Sequence, residues 1–350
     1  MDKTKIAVVI GARPQFIKHA ALEHELRKSF NVITIHTGQH YDENMSQVFF
    51  DQLGMARPDY ILNIGSAGHG VQTAKMMIEI EDILLKERPA YLLVYGDTNS
   101  TLAGALVAAK LQVKVIHVEA GLRSYNREMP EEINRVLCDH VSELLFCPTR
   151  ASQENLKAEG ITKNVYVVGD IMTDMQQIAL DRKMVSKTAE AESYYFATIH
   201  RPYNTDHKDR LLTIIETFQK LDKPVRFSVH PRTMHKLNEW RCDLNLYKNI
   251  AFLEPLSYFD SLNMQYNAAA VITDSGGMQK EAYFFRKKCV TIRKETEWTE
   301  TLVGNWNTLV FDNMDELQAA LTLAPTNYTE NLYGDGNTAV KIVETVSGYK

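Results

Sequence analysis

Short apolar runs alternate with helical patterns along the whole chain. In the first half, the candidate strands are residues 6–10, 32–36, 91–95, 114–118, 144–147 and 165–168. Several are nearly continuous in Val, Ile and Leu, which is typical of parallel strands that are buried on both faces. The intervening segments, such as "STLAGALVAAKL" and "PEEINRVLCDHVSELL", have helical spacing. This alternation predicts a doubly wound α/β domain.

The same alternation restarts after a polar stretch, "DRKMVSKTAEAES". Further candidate strands lie at residues 195–199, 226–229, 250–253, 270–273, 289–292 and 308–311. We therefore predict two Rossmann-like doubly wound α/β domains that face each other across a cleft. The predicted parts are residues 1–170, residues 171–335, and a short amphipathic helix at 336–350 that packs back toward the first domain. Because open α/β sheets bind ligands at the carboxyl ends of their strands, the site residues are expected there.

Composition narrows the class of protein. The length of 350 residues suits two domains, and the net charge of −5, with Lys and Arg spread along the chain, argues against a nucleic-acid partner. The four cysteines form no CxxC pair and no zinc-type cluster, so a reduced, cytoplasmic setting is expected. The apolar run near the N-terminus is too short for a signal sequence, and no run reaches the length of a membrane span.

Two strand–loop–helix segments have the features of anion sites. In "IAVVIGARPQFIKHAAL", Arg13 and Lys18 flank a helix start, and helix N-termini attract anions. The alternative is a glycine turn with solvated cations, since neither GxGxxG nor GK[ST] is present. In "AAAVITDSGGMQKEAYFF", a buried strand leads through Ser275, Gly276 and Gly277 into a helix that carries Glu281. Paired glycines let backbone N–H groups approach a phosphate. The alternative is an N-capping Asp or Ser followed by a glycine turn, which would have the same sequence pattern.

Three acids follow strands or begin a helix in the first half of the chain. Asp97 follows the strand at 91–95, Glu119 follows the strand at 114–118, and Glu131 stands after Pro130 in a first helical turn. Each alone could be structural, and Asp97 in particular could cap the next helix. Together they predict proton transfer by carboxylates whose pKa values are set by burial and by like charges.

Histidines also follow predicted strands. The most informative pair is His200 and Arg201 in "ATIHRPYN", directly after a strand. An imidazole at that place could protonate or stabilise a leaving phosphate. Further candidates are His230 and Arg232 in "SVHPRT", and His36, Gln39 and His40 in "HTGQHYDENM". No metal set has helical i, i+4 spacing, so no metal is expected.

Six segments resemble a known family in their order and spacing. They are "GARPQFIK", "GDTNST", "HVEAGLR", "PEEINR", "HRPYN" and "TDSGGMQKEA", and they are similar to the non-hydrolysing UDP-N-acetylglucosamine 2-epimerases. The resemblance runs from about residue 5 to residue 305 and implies the glycosyltransferase type B fold without nicotinamide, metal or other cofactor. It also implies inversion at C2 of a UDP-2-acetamido sugar: a base removes the C2 proton while UDP leaves C1, and UDP then adds back to a 2-acetamidoglycal with protonation from the other face.

The resemblance also implies roles for individual residues. The family's catalytic carboxylates match Asp97, Glu119 and Glu131, and the histidine at the leaving phosphate matches His200. Residues that match the family's contacts to UDP or its diphosphate are Arg13, Lys18, Ser275, Gly276, Gly277, Glu281 and Arg293. The family further implies a homodimer, and a cytoplasmic role in supplying a sugar for a surface polysaccharide or lipopolysaccharide.

Two departures from the better-known members concern the substrate. "NIGSAGHGVQ" has Gly and His where an arginine for a second, activating UDP-sugar is expected, which puts activation in doubt. "RSYNREMPEEINR" is closer to the branch that acts on UDP-2,3-diacetamido-2,3-dideoxy-glucuronate, so Arg123 or Arg127 could meet a sugar carboxylate. Other readings are a UDP-sugar-dependent glycosyltransferase, the hydrolysing branch, and a non-catalytic nucleotide-sugar binder. The three acids and His200 favour the epimerase.

Overall fold

The computed structural model describes residues 3–39, 50 and 54–349. The chain divides into two compact units, the first comprising Met1–Gln177 with Asn331–Lys350 and the second Ile178–Glu330. The sequence placed the divisions after residues 170 and 335. One helix, Ile171–Asp181, continues through the first division, so no loop marks the place where one unit ends.

Unit 1 is built on a seven-stranded parallel sheet. Its strands are β1 (Lys5–Ile10), β2 (Asn31–His36), β3 (Tyr60–Ile61), β4 (Tyr91–Tyr95), β5 (Lys114–Val118), β6 (Leu144–Cys147) and β7 (Val165–Val167), in the spatial order β3-β2-β1-β4-β5-β6-β7. The central strands are buried throughout, as their apolar sequences predict. The order reverses between β1 and β4, which is the switch point where open α/β sheets bind ligands.

Six described helices of unit 1 connect these strands. They are α1 (Arg13–Ser29), α2 (His69–Glu87), α3 (Asn99–Lys110), α4 (Pro130–Val141), α5 (Arg150–Ala158) and α6 (Ile171–Asp181). Proline stands in the first turn of α1 and α4, where its missing N–H costs nothing. Helices α2, α3 and α4 pack side by side, and their apolar residues form a core with the central strands.

Unit 2 has a six-stranded sheet in which the strands are again parallel. Its strands are β8 (Tyr195–Thr198), β9 (Val225–Ser228), β10 (Ile250–Leu253), β11 (Ala270–Thr273), β12 (Lys288–Thr291) and β13 (Asn307–Leu309), in the order β10-β9-β8-β11-β12-β13. The switch point lies between β8 and β11. The loops after these two strands therefore hold the expected ligand-binding position of this unit.

The helices of unit 2 are shorter than those of unit 1. They are α7 (Pro202–Thr205), α8 (Lys208–Gln219), α9 (Pro231–Glu239), α10 (Tyr258–Asn267), α11 (Gly276–Phe284) and α12 (Leu317–Thr322), with 3₁₀ segments at Leu244–Leu246, Thr299–Asn305 and Met314–Glu316. The main core of this unit lies on one side of the sheet, where β8, β9 and β11 pack against α8.

The last helix, α13 (Thr338–Gly348), returns to unit 1. Its first N–H groups, on Thr338 and Ala339, donate to the Asp174 carboxylate at 3.1 and 2.8 Å. This buried carboxylate therefore satisfies helix donors that would otherwise be orphaned. The helix packs against α1.

The predicted fold class is confirmed: both halves are parallel α/β sheets with alternating helices. Each predicted strand is present, with ends that differ by at most two residues. The two-residue strand β3 was not predicted, because two residues carry no alternation pattern. Within the described ranges, no helix combines the length and apolar character needed to cross a bilayer.

Candidate active site

The loop after β1 is held in a fixed shape by its own helix. A Cβ atom on Gly11 would lie 2.2 Å from both Ser100 Oγ and Thr37 Oγ1, so only glycine fits here. Gln15 Oε1 accepts from the N–H groups of Gly11 and Ala12 at 2.8 and 3.0 Å. The start of α1 is thus anchored between β2 and α3, and the residues that follow it have fixed directions.

Two of the predicted residues meet at the carboxyl end of this sheet. Lys18, on α1, forms an ion pair with Glu119 directly after β5, and both side chains are about nine-tenths buried. Glu119 has a φ of +72°, a left-handed conformation that costs a side-chain-bearing residue on the order of 1–3 kcal/mol. Gly96 also has a positive φ, and a Cβ there would lie 3.1 Å from Glu119 Oε2. Such a strained, closely packed carboxylate is typical of a functional position.

Asp97 is not the cap of the next helix. Thr98 takes that role, because its hydroxyl accepts from Thr101 N–H at 3.3 Å. The Asp97 carboxylate instead receives the Nε and Nη2 groups of Arg135 at 2.9 and 2.8 Å. Asn134, the preceding residue on α4, donates to the Asp97 carbonyl at 2.8 Å. The capping alternative for this acid is thereby removed, and Arg135, which the sequence did not single out, is its partner.

The two adjacent glutamates at the start of α4 have different surroundings. Glu132 is buried, accepts from the Ser124 and Tyr125 N–H groups at 2.9 and 3.0 Å, and pairs with Arg135 at 2.7 Å. Burial alone would raise the pKa of Glu132, but these hydrogen bonds and the arginine charge lower it. Glu131 is half-buried, and none of the hydrogen bonds or ion pairs found among the described residues involves its carboxylate. Glu131 is therefore free for a ligand, whereas Glu132 shapes the loop.

The two arginines predicted to meet a sugar carboxylate are in different positions. Arg123 has a side chain that is 1% exposed, and its guanidinium is bound by Asp139 at 2.7 Å and by Glu159 at 2.7 and 2.8 Å. A further bond reaches the carbonyl of Leu122. These bonds occupy the Arg123 guanidinium within unit 1, so the proposed contact to a sugar carboxylate is better suited to Arg127. Arg127 lies exposed in the loop before α4.

In unit 2, His200 is oriented by a buried carboxylate. Asp274, directly after β11, accepts from the backbone N–H groups of His200 and Arg201 at 3.1 and 2.9 Å and from Asn204 Nδ2 at 3.1 Å. The same carboxylate lies 3.1 Å from His200 Nδ1, so Nδ1 carries the proton and Nε2 points elsewhere. Partial burial, together with Arg201 and Arg293, lowers the pKa of His200, while Asp274 opposes that shift.

The SGG segment forms the N-terminus of α11. Ser275 is the residue before the helix. In this fully described part of the chain, its side chain makes no capping hydrogen bond. A Cβ on Gly276 would lie 2.4 Å from Glu297 Oε1, whereas one on Gly277 would meet nothing within 4 Å. Gly277 therefore leaves open space at the first turn of α11, where the positive dipole end favours an anion, while the Glu297 carboxylate lies beside Gly276.

Two further residues predicted to contact the nucleotide, Arg293 and Glu281, also lie in unit 2. Arg293 is 4% exposed and pairs with Glu297 at 2.9 Å, while its Nη1 finds no hydrogen-bond acceptor among the described residues. A buried guanidinium N–H group that lacks an acceptor, next to a helix N-terminus, is suited to bind an anionic ligand. Glu281 is also buried and accepts from Gln265 Nε2 at 2.7 Å. That bond fixes the direction of the carboxylate predicted to contact a ribose.

The remaining sequence candidates have mainly local roles. His230 caps α9 by accepting from Arg232 N–H at 3.2 Å. Gln39 Oε1 accepts from Ser100 N–H and Oγ at 3.1 and 2.7 Å. His36 Nδ1 accepts from Gly38 N–H at 2.8 Å, and His40 lies outside the described residues. No group of three or more His, Cys, Asp or Glu side chains in the described ranges is arranged to hold a metal ion.

Sequence reasoning missed the partners of the candidate residues. Arg135 and Glu132 lie in the quoted segment "PEEINR", and Asp274 begins "DSGGMQKEA", but their pairing partners were not predicted. One of these contacts had a local signal, because Arg135 stands three residues after Glu132 on α4, a spacing at which helical side chains meet. The contact between Arg135 and Asp97 had none.

Comparison with known proteins places this fold and site in a class. The family model described as UDP-N-acetylglucosamine 2-epimerase matches residues 23–347. The crystal structure of Methanocaldococcus jannaschii UDP-GlcNAc 2-epimerase in complex with UDP-GlcNAc and UDP is 41% identical, with a TM-score of 0.87 over 98% of this chain and 99% of that one. The class is thus that of two-domain α/β enzymes with a glycosyltransferase-type-B-like fold.

Two curated relatives cover nearly the whole chain. A Methanococcus maripaludis protein named UDP-N-acetylglucosamine 2-epimerase homolog is 47% identical over 98% of this chain and 99% of its own length. The Pseudomonas aeruginosa UDP-2,3-diacetamido-2,3-dideoxy-D-glucuronate 2-epimerase is 44% identical over 97% of this chain and 98% of its own. The chain belongs to the UDP-N-acetylglucosamine 2-epimerase family, whose members are isomerases.

Proposed function

We propose that this protein inverts C2 of a UDP-2-acetamido sugar, with UDP-N-acetylglucosamine as substrate, by elimination and re-addition of UDP. The observation that carries the proposal is the charge arrangement of unit 1. Glu119 and Asp97 are each held by a cation, whereas Glu131 has no described partner and remains free. Acid–base chemistry on two faces of one carbon requires carboxylates in unlike states, and these surroundings supply them.

In the elimination half-reaction, a carboxylate takes the C2 proton as the C1–O bond to UDP breaks. The C2 hydrogen is weakly acidic, so its loss must be coupled to departure of a good leaving group. The bonding pair from C2–H becomes the C1–C2 double bond of the glycal, and the C1–O pair leaves with UDP. Re-addition reverses these bond changes, with a proton delivered to the opposite face of C2. Asp97 and Glu119 are each held in place by an ion pair, to Arg135 and Lys18 respectively.

We assign UDP binding to unit 2, through Ser275, Gly276 and Gly277 at the helix N-terminus, with Arg293, Glu281 and His200. The lowered pKa of His200 means that its imidazole is neutral in the free protein at neutral pH. A bound diphosphate places negative charge nearby and favours protonation at Nε2, which can then stabilise the departing phosphate. Arg13 and Lys18 of unit 1 are the proposed contacts to the sugar-proximal phosphate.

We also propose that the enzyme works in the cytoplasm, where it supplies a mannosamine-type sugar for a surface polysaccharide or lipopolysaccharide. All four cysteines are free thiols and three of them are buried, which suits a reducing compartment. The alternative substrate is UDP-2,3-diacetamido-2,3-dideoxy-glucuronate. Its C6 carboxylate would suit the exposed Arg127, which no ion pair in the described structure occupies.

Proton NMR in D₂O with each UDP-sugar in turn tests both proposals. We expect deuterium to enter C2 of UDP-N-acetylglucosamine while the manno epimer accumulates. The Arg127→Ala variant, with Arg57→Ala as a matched exposed control, should leave that reaction unchanged. Exchange confined to the uronate, with its KM raised in Arg127→Ala only, would move the assignment to the alternative substrate. No exchange with either sugar would overturn the proposed activity.

A homodimer is the proposed assembly, and an exposed apolar face of unit 1 is the proposed interface. Val71, Ile78 and Leu85 stand seven residues apart on α2 and are 56, 61 and 55% exposed, and Ile133 and Leu137 on α4 are 42 and 41% exposed. Helices α2, α3 and α4 pack side by side. An apolar stripe of this length is unusual on a monomer surface, so a second copy of this face is the proposed cover.

Ile78→Asp is expected to convert the dimer into a monomer, because a carboxylate buried in a self-complementary interface occurs twice and finds no cation. Light scattering coupled to size-exclusion chromatography gives the mass directly. Leu246→Asp in unit 2 is the matched control, since Leu246 is 70% exposed and lies outside the proposed face. An Ile78→Asp protein with the mass of a dimer, or a wild-type protein with the mass of a monomer, would refute this interface.

A further inference from the structure

Two histidines of unit 1 are fully buried, and their ring nitrogens face different kinds of partner. His19 lies 3.0 Å from the Tyr95 hydroxyl through Nδ1 and 3.2 Å from the Thr34 hydroxyl through Nε2. A hydroxyl group can donate or accept, so a neutral imidazole satisfies both contacts. Burial, with a smaller effect of the Arg27 charge, lowers the pKa of His19 to about 3. This ring is therefore uncharged at neutral pH.

His117, on β5, faces two groups that can only accept. Its Nδ1–H donates to Asp139 Oδ1 at 2.7 Å and its Nε2–H donates to the Gly96 carbonyl at 2.8 Å. A carboxylate and a peptide carbonyl have no proton to give, so both ring nitrogens must carry one. The other oxygen of Asp139 accepts from Arg123 at 2.7 Å and from Gly121 N–H at 3.2 Å. Both carboxylate oxygens are thus used as acceptors, and the proton belongs to the imidazole.

The charge of Asp139 supports the same assignment. Burial alone would raise the pKa of this carboxyl group, but His117 and Arg123 lower it through their charges and hydrogen bonds. Both side chains of the His117–Asp139 pair are 0% exposed. A buried pair of this kind persists only when its hydrogen bonds are complete, as they are here.

This ion pair lies directly beneath the catalytic carboxylates. Gly96, whose carbonyl receives the His117 proton, immediately precedes Asp97, and its Cα faces the Lys18–Glu119 contact. His117 itself precedes Glu119 by two residues. Asp139 stands on α4, the helix that carries Glu131, and its bond to Gly121 holds the loop after Glu119. One buried pair therefore connects the segments that carry all three acids.

We propose that His117 is a positioning residue for the C2 chemistry: its two ring N–H groups donate to Asp139 and to the Gly96 carbonyl and so fix the loops of Asp97 and Glu119. The proposal rests on the 2-epimerase activity proposed above. The strained backbone at Gly96 and Glu119 needs an anchor of this kind. Active-site groups that are held less tightly lose rate steeply with small displacements.

The two donor roles of the ring are tested without substrate, by ¹⁵N NMR of the imidazole rings at pH 7. We expect both nitrogens of His117 to show protonated shifts, because both face acceptors. The signal is assigned by its loss in His117→Gln. His19 is the internal reference and should show one bare nitrogen. A bare ring nitrogen on His117 at pH 7 would overturn the proposal, whatever the enzyme's activity.

The positioning role is tested by kinetics of His117→Gln and Asp139→Asn. Each should lower kcat on the order of 10- to 100-fold, while the Kd for UDP stays unchanged because the UDP contacts are assigned to unit 2. The combined variant should lose little more than either single one, since both remove the same pair. His140→Gln, an exposed histidine on the same helix, is the control with unchanged kcat.

A purely structural role gives a different pattern. In that case the variants would unfold at lower temperature, yet kcat per mole of folded enzyme would remain within about threefold of wild type, and the positioning role would be wrong. Failure of the proposed activity itself is seen separately, as absence of C2 deuterium exchange in the wild-type protein.

Discussion

Glutamine in place of Glu119 is expected to lower kcat on the order of 10²- to 10⁴-fold, the range that a positioned acid or base contributes. Glutamine has nearly the same shape, so it can occupy the strained position above Gly96, but it neither accepts nor delivers a proton. It also leaves Lys18 without its anionic partner. The freed ammonium group then favours the diphosphate, so KM should stay the same or fall.

Separate measurement of deuterium exchange at C2 and of epimer formation shows which step is lost. If Glu119 acts on both faces or holds the geometry, exchange and epimerisation fall together. If it acts on one face only, one epimer still exchanges its C2 hydrogen while the other is not formed. Glu131→Gln should give the complementary pattern.

Glu128→Gln is the matched control, because Glu128 is exposed in the loop three residues before Glu131 and outside the proposed machinery. It should keep wild-type kcat. A Glu119→Gln enzyme with kcat within about threefold of wild type would contradict a catalytic role for the carboxylate.

Much of the fold could be predicted because parallel strands buried on both faces have a distinctive sequence. The run at β4 is apolar over its whole length, and β5 is apolar apart from Lys114 and His117, so the positions of both strands were predicted to the residue. Strand β3 has two residues and a half-exposed surface, and nothing separates it from a loop in the sequence. The division into units was harder to place because α6 passes through it without a break.

Less of the site could be predicted, because its decisive contacts join distant parts of the chain. The acids at strand ends were recognisable from position alone. Their partners were not: Asp97 binds Arg135, Glu119 binds Lys18, and both contacts depend on how helices pack on the sheet. Local chemistry also misled in one place. Arg123 looked available in "EAGLRS", yet its guanidinium is bound by the buried Asp139 of α4 and by Glu159, which directly follows α5.

Alanine in place of Asp274 is expected to destabilise unit 2 on the order of 3–5 kcal/mol and to abolish epimerisation, because one buried carboxylate serves several donors. Its oxygens accept from the backbone of His200 and Arg201, from Asn204 and from the His200 ring. Alanine would leave the backbone N–H groups of His200 and Arg201 without their acceptor, whereas Asn204 would keep its bond to the Ile292 carbonyl. Urea unfolding, with hydrogen exchange at residues 199–204, measures that loss.

Asp274→Asn separates stability from chemistry. An amide oxygen can still accept from the backbone of His200 and Arg201, so the loss of stability should be less than half of that for alanine. Its NH₂ group, however, faces His200 Nδ1 as a donor, which moves the ring proton to Nε2 and removes the anion that supports an imidazolium. We therefore expect kcat to fall on the order of 10²-fold or more in a protein that still folds and binds UDP.

The direction of the pH effect follows from the same change: without the Asp274 charge, the pKa of His200 falls further, so the rate that depends on its protonated form should be lost at a lower pH than in wild type. An asparagine variant with wild-type kcat and an unshifted pH profile would show that Asp274 only supports the loop, and that His200 needs no partner for its role.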